Sequence, residues 1–200
     1  MASGISDAQK IVTFVSCVQD PAACCGDKDA GNEVRKKNFK DTPRLAAVSF
    51  ISNSEKETLG LAVKIAVNLK KNDCLALVGN FGSGKTVFVK GLARGLGTLK
   101  KTYVCSPSFV ILKTYPGRLP IYHFDLYRLN HARDLENIGL FEFMSAGGVS
   151  VIEWADKIKQ LLLPKGCLRV EFFVLGSSMR SIKFCARAAD LRRFLKRVRL

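Results

Sequence analysis

Long apolar runs are missing from this sequence. No uninterrupted stretch reaches the roughly 18 residues that a membrane-spanning helix needs, and the best early candidate, residues 11–18, contains Thr13 and Ser16. The first basic residue, Lys10, follows Asp7, which matches a secretory signal poorly. We therefore expect a cytoplasmic protein with no membrane segment.

Metal-binding side chains of the zinc type are also scarce. The chain has only two histidines, and its seven cysteines include no C-x-x-C pair. Structural zinc sites need four such ligands at regular spacing, so a zinc protein is excluded. The odd number of cysteines and their irregular spacing favour reduced thiols over a disulfide framework.

Acidic residues are few relative to basic ones: 17 against 32, which gives a net charge of +15. The last 21 residues carry eight lysines and arginines, opposed only by Asp190. Such a segment can bind nucleic acid, tRNA included, or an acidic protein face through counterion release. The reading we favour is a helix that packs on the domain and keeps its basic face in water, because apolar residues recur at helical spacing: Leu191, Phe194, Leu195 and Val198.

What the sequence does contain is a phosphate-binding motif. Residues 79–86 read G-N-F-G-S-G-K-T, which satisfies G-x-x-x-x-G-K-[ST] directly after the apolar run Cys74–Val78. Helical apolar spacing follows, so the motif has its strand–loop–helix context. Glycines let successive N–H groups surround phosphate oxygens. Lys85 supplies a positive charge for the β- and γ-phosphates, and the Thr86 hydroxyl is a ligand for Mg²⁺.

The motif predicts a nucleotide and Mg²⁺ as ligands, and its variable positions identify no particular base. We expect the nucleotide to be bound by the whole loop and the start of its helix, namely Asn80, Phe81, Gly82, Ser83, Gly84, Lys85, Thr86 and Val87. A phosphate loop also needs acidic residues, which usually emerge at the end of a buried strand near the loop. Two apolar runs end in such a residue, one at Asp125 and one at Glu153. The alternative for each carboxylate is a helix cap or a surface charge.

The remaining pattern predicts an α/β domain with helices on both faces of a mixed sheet. A strand starts near Ala47, and Ser54 with Glu57 forms a capping box for the next helix. Residues 109–115 and 119–126 predict an antiparallel hairpin, and residues 134–143 a helix. Strands follow at residues 149–153 and 168–174, and a helical segment ends at residues 161–164.

These elements divide the chain into three parts. Residues 1–46 show no steady periodicity and are interpreted as an N-terminal extension with some disorder and a short helix near residues 11–18. Residues 47–176 form the nucleotide-binding domain. Residues 177–200 are interpreted as a basic, helical C-terminal extension.

Taken in order, the motifs G-N-F-G-S-G-K-T, S-P-S-F, Y-H-F-D-L-Y-R-L, I-E-W-A-D-K and L-L-P resemble the TsaE (YjeE) family over about residues 48–175. The resemblance implies a three-layer P-loop NTPase fold and a partner-stimulated ATPase of tRNA threonylcarbamoyladenosine biosynthesis. Its ATP cycle would reset a complex of TsaB and TsaD homologues, which transfers the threonylcarbamoyl group.

The resemblance also implies roles for individual residues. Lys85 and Thr86 take phosphate and magnesium duties, and Lys85, Asp125 and Glu153 form the catalytic set. Glu153 matches the carboxylate of the magnesium site, Ser108 a switch hydroxyl, and Trp154 an aromatic next to the nucleotide. From the residues themselves, His123 is interpreted as a structural group. The hydroxyls of Ser106 and Ser108 follow a strand, where nucleotide hydrolases often have a phosphate-sensing switch, and the alternative is a turn with a side-chain-to-backbone hydrogen bond.

Some residues depart from the family pattern. Asn80 stands where aspartate is common, Ser108 stands where threonine is common, and Lys113 and Thr114 replace positions that are often acidic. Two other function classes stay open. One is a small kinase that phosphorylates a metabolite, although no arginine-rich lid lies between the loop and Glu153; the other is an RNA-binding module regulated by nucleotide.

Overall fold

The computed structural model describes residues 45–99, 101–129, 131, 133–157 and 163–198. Its strands are β1 (Leu45–Ser52), β2 (Cys74–Val78), β3 (Leu112–Tyr115), β4 (Ile121–Asp125), β5 (Val149–Glu153), β6 (Leu168–Val174) and β7 (Arg180–Arg187). Its helices are α1 (Glu55–Ala66), α2 (Lys85–Gly95), α3 (Arg133–Asn137), α4 (Leu140–Met144) and α5 (Ala188–Phe194).

All seven strands form one mixed sheet in the order β1-β7-β6-β2-β5-β4-β3. Strand β2 pairs in parallel with β5 and β6, and β4 pairs in parallel with β5. The pairs β1/β7, β7/β6 and β3/β4 are antiparallel. The predicted α/β class and the predicted hairpin are therefore confirmed. Three of the parallel strands, β2, β5 and β4, are adjacent, so their carboxyl ends meet at one edge of the sheet.

Two apolar cores lie on opposite faces of this sheet. One core joins α1, α2 and α5 to side chains such as Leu75, Val151 and Phe184. The other joins α3 and α4 to Ala76 and Phe124. Neighbouring residues of one strand enter different cores because successive side chains of a strand point to opposite faces. The result is the predicted three-layer arrangement.

Local sequence explains how the first helices begin and pack. Ser54 caps α1 by accepting a hydrogen bond from the Glu57 backbone N–H (3.2 Å), and Glu57 in turn accepts from the backbone N–H of Asn53 (2.8 Å). Helix α2 lies close against α1 at Gly91, where a Cβ atom would come within 2.5 Å of the Leu59 carbonyl oxygen. A side chain at this position would push the two helices apart. The position of the loop at the start of α2 therefore depends on glycine at residue 91.

Some predicted elements differ from the structure. The helix predicted over residues 134–143 is two short helices, because Gly139 adopts a left-handed conformation with φ of 65° between α3 and α4. The first strand starts at Leu45 rather than Ala47. The rest of the predicted N-terminal extension lies outside the described residues, as does most of the helical segment predicted to end at residues 161–164.

The predicted C-terminal extension is wrong in its first half. Residues Arg180–Arg187 form β7, which lies inside the sheet between β1 and β6, and only Ala188–Phe194 is α-helical. Buried Ile182, Phe184 and Ala186 alternate with less buried positions along β7, which is the period of a strand. The basic residues at the intervening positions obscured this alternation. The domain therefore continues past residue 176.

No helix in the described part of the chain has both the length and the apolar character to cross a bilayer.

Candidate nucleotide-binding site

The phosphate-loop motif forms the turn between the end of β2 and the start of α2. At Gly79 a Cβ atom would come within 2.8 Å of the Phe172 carbonyl oxygen, so only glycine fits there. Gly84 is the N-cap of α2, has a left-handed φ of 107°, and supplies no side-chain hydrogen bond to the helix. The first N–H groups of α2 thus have no side-chain cap, and the positive end of the helix dipole faces the loop. This is the backbone arrangement that an anion needs.

A cavity of about 270 Å³ opens above this loop. Every predicted site residue except Asn80 lines it, together with Ser106 and Tyr127. Its walls come from the loop, from the segment before β3, and from the ends of β4 and β5: Phe81, Gly82, Ser83, Gly84, Lys85, Thr86, Val87, Ser106, Ser108, Asp125, Tyr127, Glu153 and Trp154. The sequence motifs thus converge on one cavity, although they are up to 73 residues apart in the sequence.

Lys85 lies at the floor of this cavity with 4% of its surface exposed. Its ammonium group donates hydrogen bonds to the carbonyl oxygens of Gly79 (2.7 Å) and Asn80 (2.9 Å). Burial lowers the pKa of Lys85, while the negative charges of Glu153 and Asp125 act to raise it. The backbone carbonyl of Asn80, rather than its side chain, is therefore the part that contacts Lys85.

Glu153 and Thr86 meet across the gap between β5 and α2. The Thr86 hydroxyl donates to Glu153, with distances of 2.9 Å to Oε1 and 3.2 Å to Oε2. The same Oε1 lies 2.9 Å from Nε2 of His123, which is fully buried in β4. An ionised carboxylate only accepts hydrogen bonds, so Nε2 must carry the hydrogen in this contact. His123 therefore fixes the orientation of Glu153, a role that the strand alternation by itself did not reveal.

Asp125 has different partners. It pairs in register with Glu153 across β4 and β5, yet its carboxylate contacts the segment before β3. Its Oδ2 accepts from the hydroxyls of Ser106 and Ser108 (2.7 Å for Ser108), and its Oδ1 accepts from the Tyr127 backbone N–H (2.9 Å). With 2% of its surface exposed, Asp125 holds the serine segment against the cavity.

Aromatic rings form the outer wall of the cavity. Trp154 directly follows Glu153 and has a left-handed φ of 59°, an unusual conformation for a bulky residue. Its ring lies 3.9 Å from the Lys85 ammonium nitrogen and 5.0 Å from the ring centre of Tyr127. Tyr127 in turn contacts Phe81 edge to face, with a distance of 6.4 Å between ring centres. Backbone strain of this kind is often found at functional sites, where the surrounding structure maintains it.

Three residues of the site are not among the site residues predicted from the sequence. Ser106 bonds Asp125 directly, Tyr127 lines the cavity, and His123 holds Glu153. The motif Y-H-F-D-L-Y-R contains both His123 and Tyr127, and its polar residues within an apolar strand were the available indication. Their partners lie on other segments, however, so the sequence alone could not assign their contacts.

The oxygen donors of the cavity suit Mg²⁺, which prefers hydroxyl, carboxylate and phosphate ligands. Among the described residues, no group of three histidine, cysteine, aspartate or glutamate side chains could hold a metal by itself. A site with one hydroxyl and one nearby carboxylate fits a metal that arrives with its nucleotide, because the phosphates supply further ligands.

Comparisons with known proteins identify the family. The profile of the family described as "Threonylcarbamoyl adenosine biosynthesis protein TsaE" matches residues 52–182. The tRNA threonylcarbamoyladenosine biosynthesis protein TsaE of Bacillus subtilis is 40% identical over 131 residues, which cover 65% of this chain and 80% of the relative. The protein of the same name from Treponema pallidum is 36% identical over 132 residues, covering 66% and 96%.

A solved structure adds the fold. The crystal structure of Bacillus subtilis YdiB aligns with a TM-score of 0.64 at 32% identity, covering 76% of this chain and 93% of that one. The predicted P-loop fold is thereby confirmed. The chain belongs to the TsaE family of threonylcarbamoyladenosine biosynthesis proteins.

Proposed function

We propose that this chain is a Mg²⁺-dependent ATPase that supports threonylcarbamoyl transfer to tRNA by a complex of TsaB and TsaD homologues. The observation that carries the ATPase part is the contact of Thr86 with Glu153 beside Lys85, at the edge where β2 and β5 end. This contact brings a metal-binding hydroxyl, a carboxylate and a phosphate-binding lysine into one cavity.

The loop residues would bind the triphosphate. Free backbone N–H groups at the start of α2 would donate to the phosphates, and the Lys85 ammonium, which now donates to the carbonyl oxygens of Gly79 and Asn80, would donate to phosphate oxygens. Thr86 and Glu153 would hold Mg²⁺, which when bound neutralises charge on the phosphates. His123 keeps the Glu153 carboxylate oriented toward Thr86 throughout.

The serine segment would sense the state of the nucleotide. Ser106 and Ser108 share one oxygen of Asp125, so a γ-phosphate or an attacking water that takes a hydrogen bond from either serine must change this cluster. Loss of the γ-phosphate would let the cluster re-form. Hydrolysis would therefore change the conformation of the serine segment, and a partner bound at the protein surface could detect this change.

The names of the matched relatives support the pathway, since they are those of tRNA threonylcarbamoyladenosine biosynthesis proteins. The TsaB and TsaD partners and a cytoplasmic site of action are part of the proposal, in keeping with a role in tRNA modification. The aromatic wall with Phe81, Tyr127 and Trp154 would contact the rest of the nucleotide.

The test is to incubate the chain with ATP, Mg²⁺ and TsaB and TsaD homologues, and to identify the products by mass spectrometry. We expect ADP and free phosphate, with faster release when both partners are present. A phosphorylated metabolite instead of free phosphate would support the kinase alternative. Nucleotide binding without turnover under all conditions would support the regulated RNA-binding module.

A further inference from the structure

A second concave surface lies beside the nucleotide site, on the outer side of α2. It has a volume of about 450 Å³ and lies between the second half of α2 and the lining residues that follow it, Thr98, Leu99, Thr102, Tyr103 and Val104. Its polar lining comes from Lys90, Arg94, Thr98, Thr102 and Tyr103. We name this surface the α2 groove. It contains two cations, two hydroxyls and an aromatic ring, and no carboxylate.

The sequence around the α2 groove is free of negative charge. Between Asp73 and Asp125 there is no aspartate or glutamate. The same stretch has seven basic residues: Lys85, Lys90, Arg94, Lys100, Lys101, Lys113 and Arg118. A one-sided charge distribution of this kind attracts a polyanion and raises its rate of association.

Two apolar side chains at the α2 groove face solvent instead of the core. Tyr103 is 81% exposed and Leu99 is 60% exposed. An exposed aromatic ring between cations is the combination that binds single-stranded nucleic acid, because the ring stacks on a base while the cations contact phosphates. An acidic protein surface would use the cations but would have no particular need for a flat exposed ring.

The cations of the α2 groove differ from Arg193 and Lys183 of the C-terminal segment, which already form ion pairs. Arg193 makes a bidentate pair with Asp73, with both distances 2.8 Å, and Lys183 lies 3.3 Å from Glu171. In the described part of the chain, no carboxylate forms an ion pair with Lys90, Arg94 or Lys101. The groove cations can therefore bind phosphate without giving up an internal ion pair.

The α2 groove is also connected to the nucleotide site. Its segment 98–104 leads directly to Cys105 and Ser106, and Ser106 bonds Asp125 in the cavity. Lys113, on β3, lies with its ammonium nitrogen 2.8 Å from the Cys105 sulfur, so it brings one more positive charge next to this connection. A ligand in the groove would contact the segment that carries the two serines.

We propose that the α2 groove binds single-stranded RNA of the kind found in a tRNA loop. Lys90 and Arg94 contact phosphates, Lys101 adds positive charge next to the groove, and Tyr103 stacks on an unpaired base. The choice of tRNA as the source of the loop rests on the proposed function, whereas RNA binding itself does not require ATP hydrolysis.

The experiment measures binding of the full chain to a fluorescein-labelled tRNA anticodon stem-loop by anisotropy, from 50 to 300 mM salt. The test variants are Lys90→Ala/Arg94→Ala and Tyr103→Ala. The matched control is Arg192→Ala/Lys196→Ala, which removes the same charge from exposed positions of the C-terminal segment. Melting curves verify that all variants are folded.

The expected results separate charge from stacking. Loss of two phosphate contacts should lower affinity roughly 25-fold at 0.1 M salt and reduce the slope of log affinity against log salt by about 1.4. Tyr103→Ala should lower affinity roughly 5- to 150-fold and leave this slope unchanged. The control should change affinity less than about twofold, because exposed charges outside the contact are screened.

Three outcomes would overturn the proposal. The first is unchanged affinity and slope in Lys90→Ala/Arg94→Ala. The second is an equal loss in the C-terminal control, which would assign RNA binding to that segment or to net charge. The third is that polyglutamate competes as well as RNA and Tyr103→Ala has no effect, which would indicate an acidic protein partner. ATP turnover of the same variants without RNA is measured separately. Absence of ATPase activity would therefore not contradict RNA binding by the α2 groove.

Discussion

The two halves of the sheet use their side chains in opposite ways. In the half formed by β2, β5 and β4, buried polar residues collect at or near the carboxyl ends of the strands: His123, Asp125 and Glu153, with Lys85 on the adjoining helix. In the half formed by β1, β7 and β6, the large buried side chains are chiefly apolar, and Phe184 of β7 and Phe194 of the adjoining α5 are fully buried. The first half contains the candidate chemistry and the second supplies stability, although both belong to one sheet.

The physical reason is strand direction. Parallel strands bring their carboxyl ends, and therefore the polar residues that end them, to the same edge of the sheet. Antiparallel strands place adjacent ends at opposite edges, so the β1, β7 and β6 half cannot collect residues in this way. Mutations in the two halves should accordingly separate loss of activity from loss of stability.

The largest effect is expected from deletion of residues 180–200. The deletion removes β7, whose two neighbours β1 and β6 would lose a shared partner. We expect no cooperative thermal unfolding transition, measured by circular dichroism. A milder variant, Phe194→Ala, should lower the free energy of unfolding by about 3–5 kcal/mol while leaving ATP turnover of the folded protein unchanged. A stable truncated chain would show that residues 180–200 are dispensable for folding.

The next largest effect is expected from Lys85→Ala. Without its ammonium group, no other side chain of the loop supplies a positive charge to the γ-phosphate, so turnover should fall about 10²–10³-fold. ATP turnover is measured as phosphate release in the presence of the partners. The melting temperature of Lys85→Ala should change little. Lys56→Ala, at an exposed position of α1, is the matched control. Parental turnover in Lys85→Ala would remove the basis of the ATPase assignment.

Glu153→Gln distinguishes the two carboxylates at the same edge. Glutamine keeps the size of the side chain but loses its charge, so turnover should fall about 10–100-fold and the Mg²⁺ concentration for half-maximal turnover should rise. ATP binding, measured by calorimetry, should be less affected. Asp125→Asn is the comparison, because Asp125 contacts the serines and not Thr86. If only Asp125→Asn changes the Mg²⁺ dependence, the metal role belongs to Asp125.

Arg193→Ala tests whether the C-terminal cations are structural. Its bidentate pair with Asp73 joins α5 to the turn before β2. Loss of these charge-assisted hydrogen bonds should lower the free energy of unfolding by about 1–2 kcal/mol, measured by urea denaturation. Its exposed neighbour provides the control, since Arg192→Ala should cost about 0.5 kcal/mol or less. Equal costs for the two variants would mean that the pair contributes no stability.

The smallest effect concerns pH and the start of β2. The hydrogen bond that the Cys74 thiol shares with Cys167, together with burial, raises the pKa of Cys74 well above its ordinary value of 9.0. The folded state thus keeps a proton that the unfolded state releases, so this thiol should make the chain less stable as the pH rises above 9.0, by at most about 1.4 kcal/mol per pH unit. Urea denaturation under reducing conditions at pH 8 and pH 10 measures it. Cys74→Ala should lose less stability over this interval than the parent; equal losses would contradict the prediction.

Much of the candidate site was predictable because its parts are short sequence motifs. The phosphate loop determines its own backbone through Gly79 and Gly84, and the runs ending in Asp125 and Glu153 place a carboxylate at the end of a buried strand. Hydrophobic alternation also predicted the hairpin of β3 and β4. These features depend on neighbouring residues, which the sequence displays directly.

The sequence by itself therefore determined the phosphate loop, the α/β class and the set of polar residues available at the strand ends. Only the tertiary structure decided that Glu153 contacts Thr86 while Asp125 contacts Ser106 and Ser108. It also decided that the basic segment after residue 180 enters the sheet as β7. The physical reason is that strand pairing joins residues that are far apart in the chain: β7 lies between β1 and β6, and its register depends on the exposed and buried faces of both neighbours.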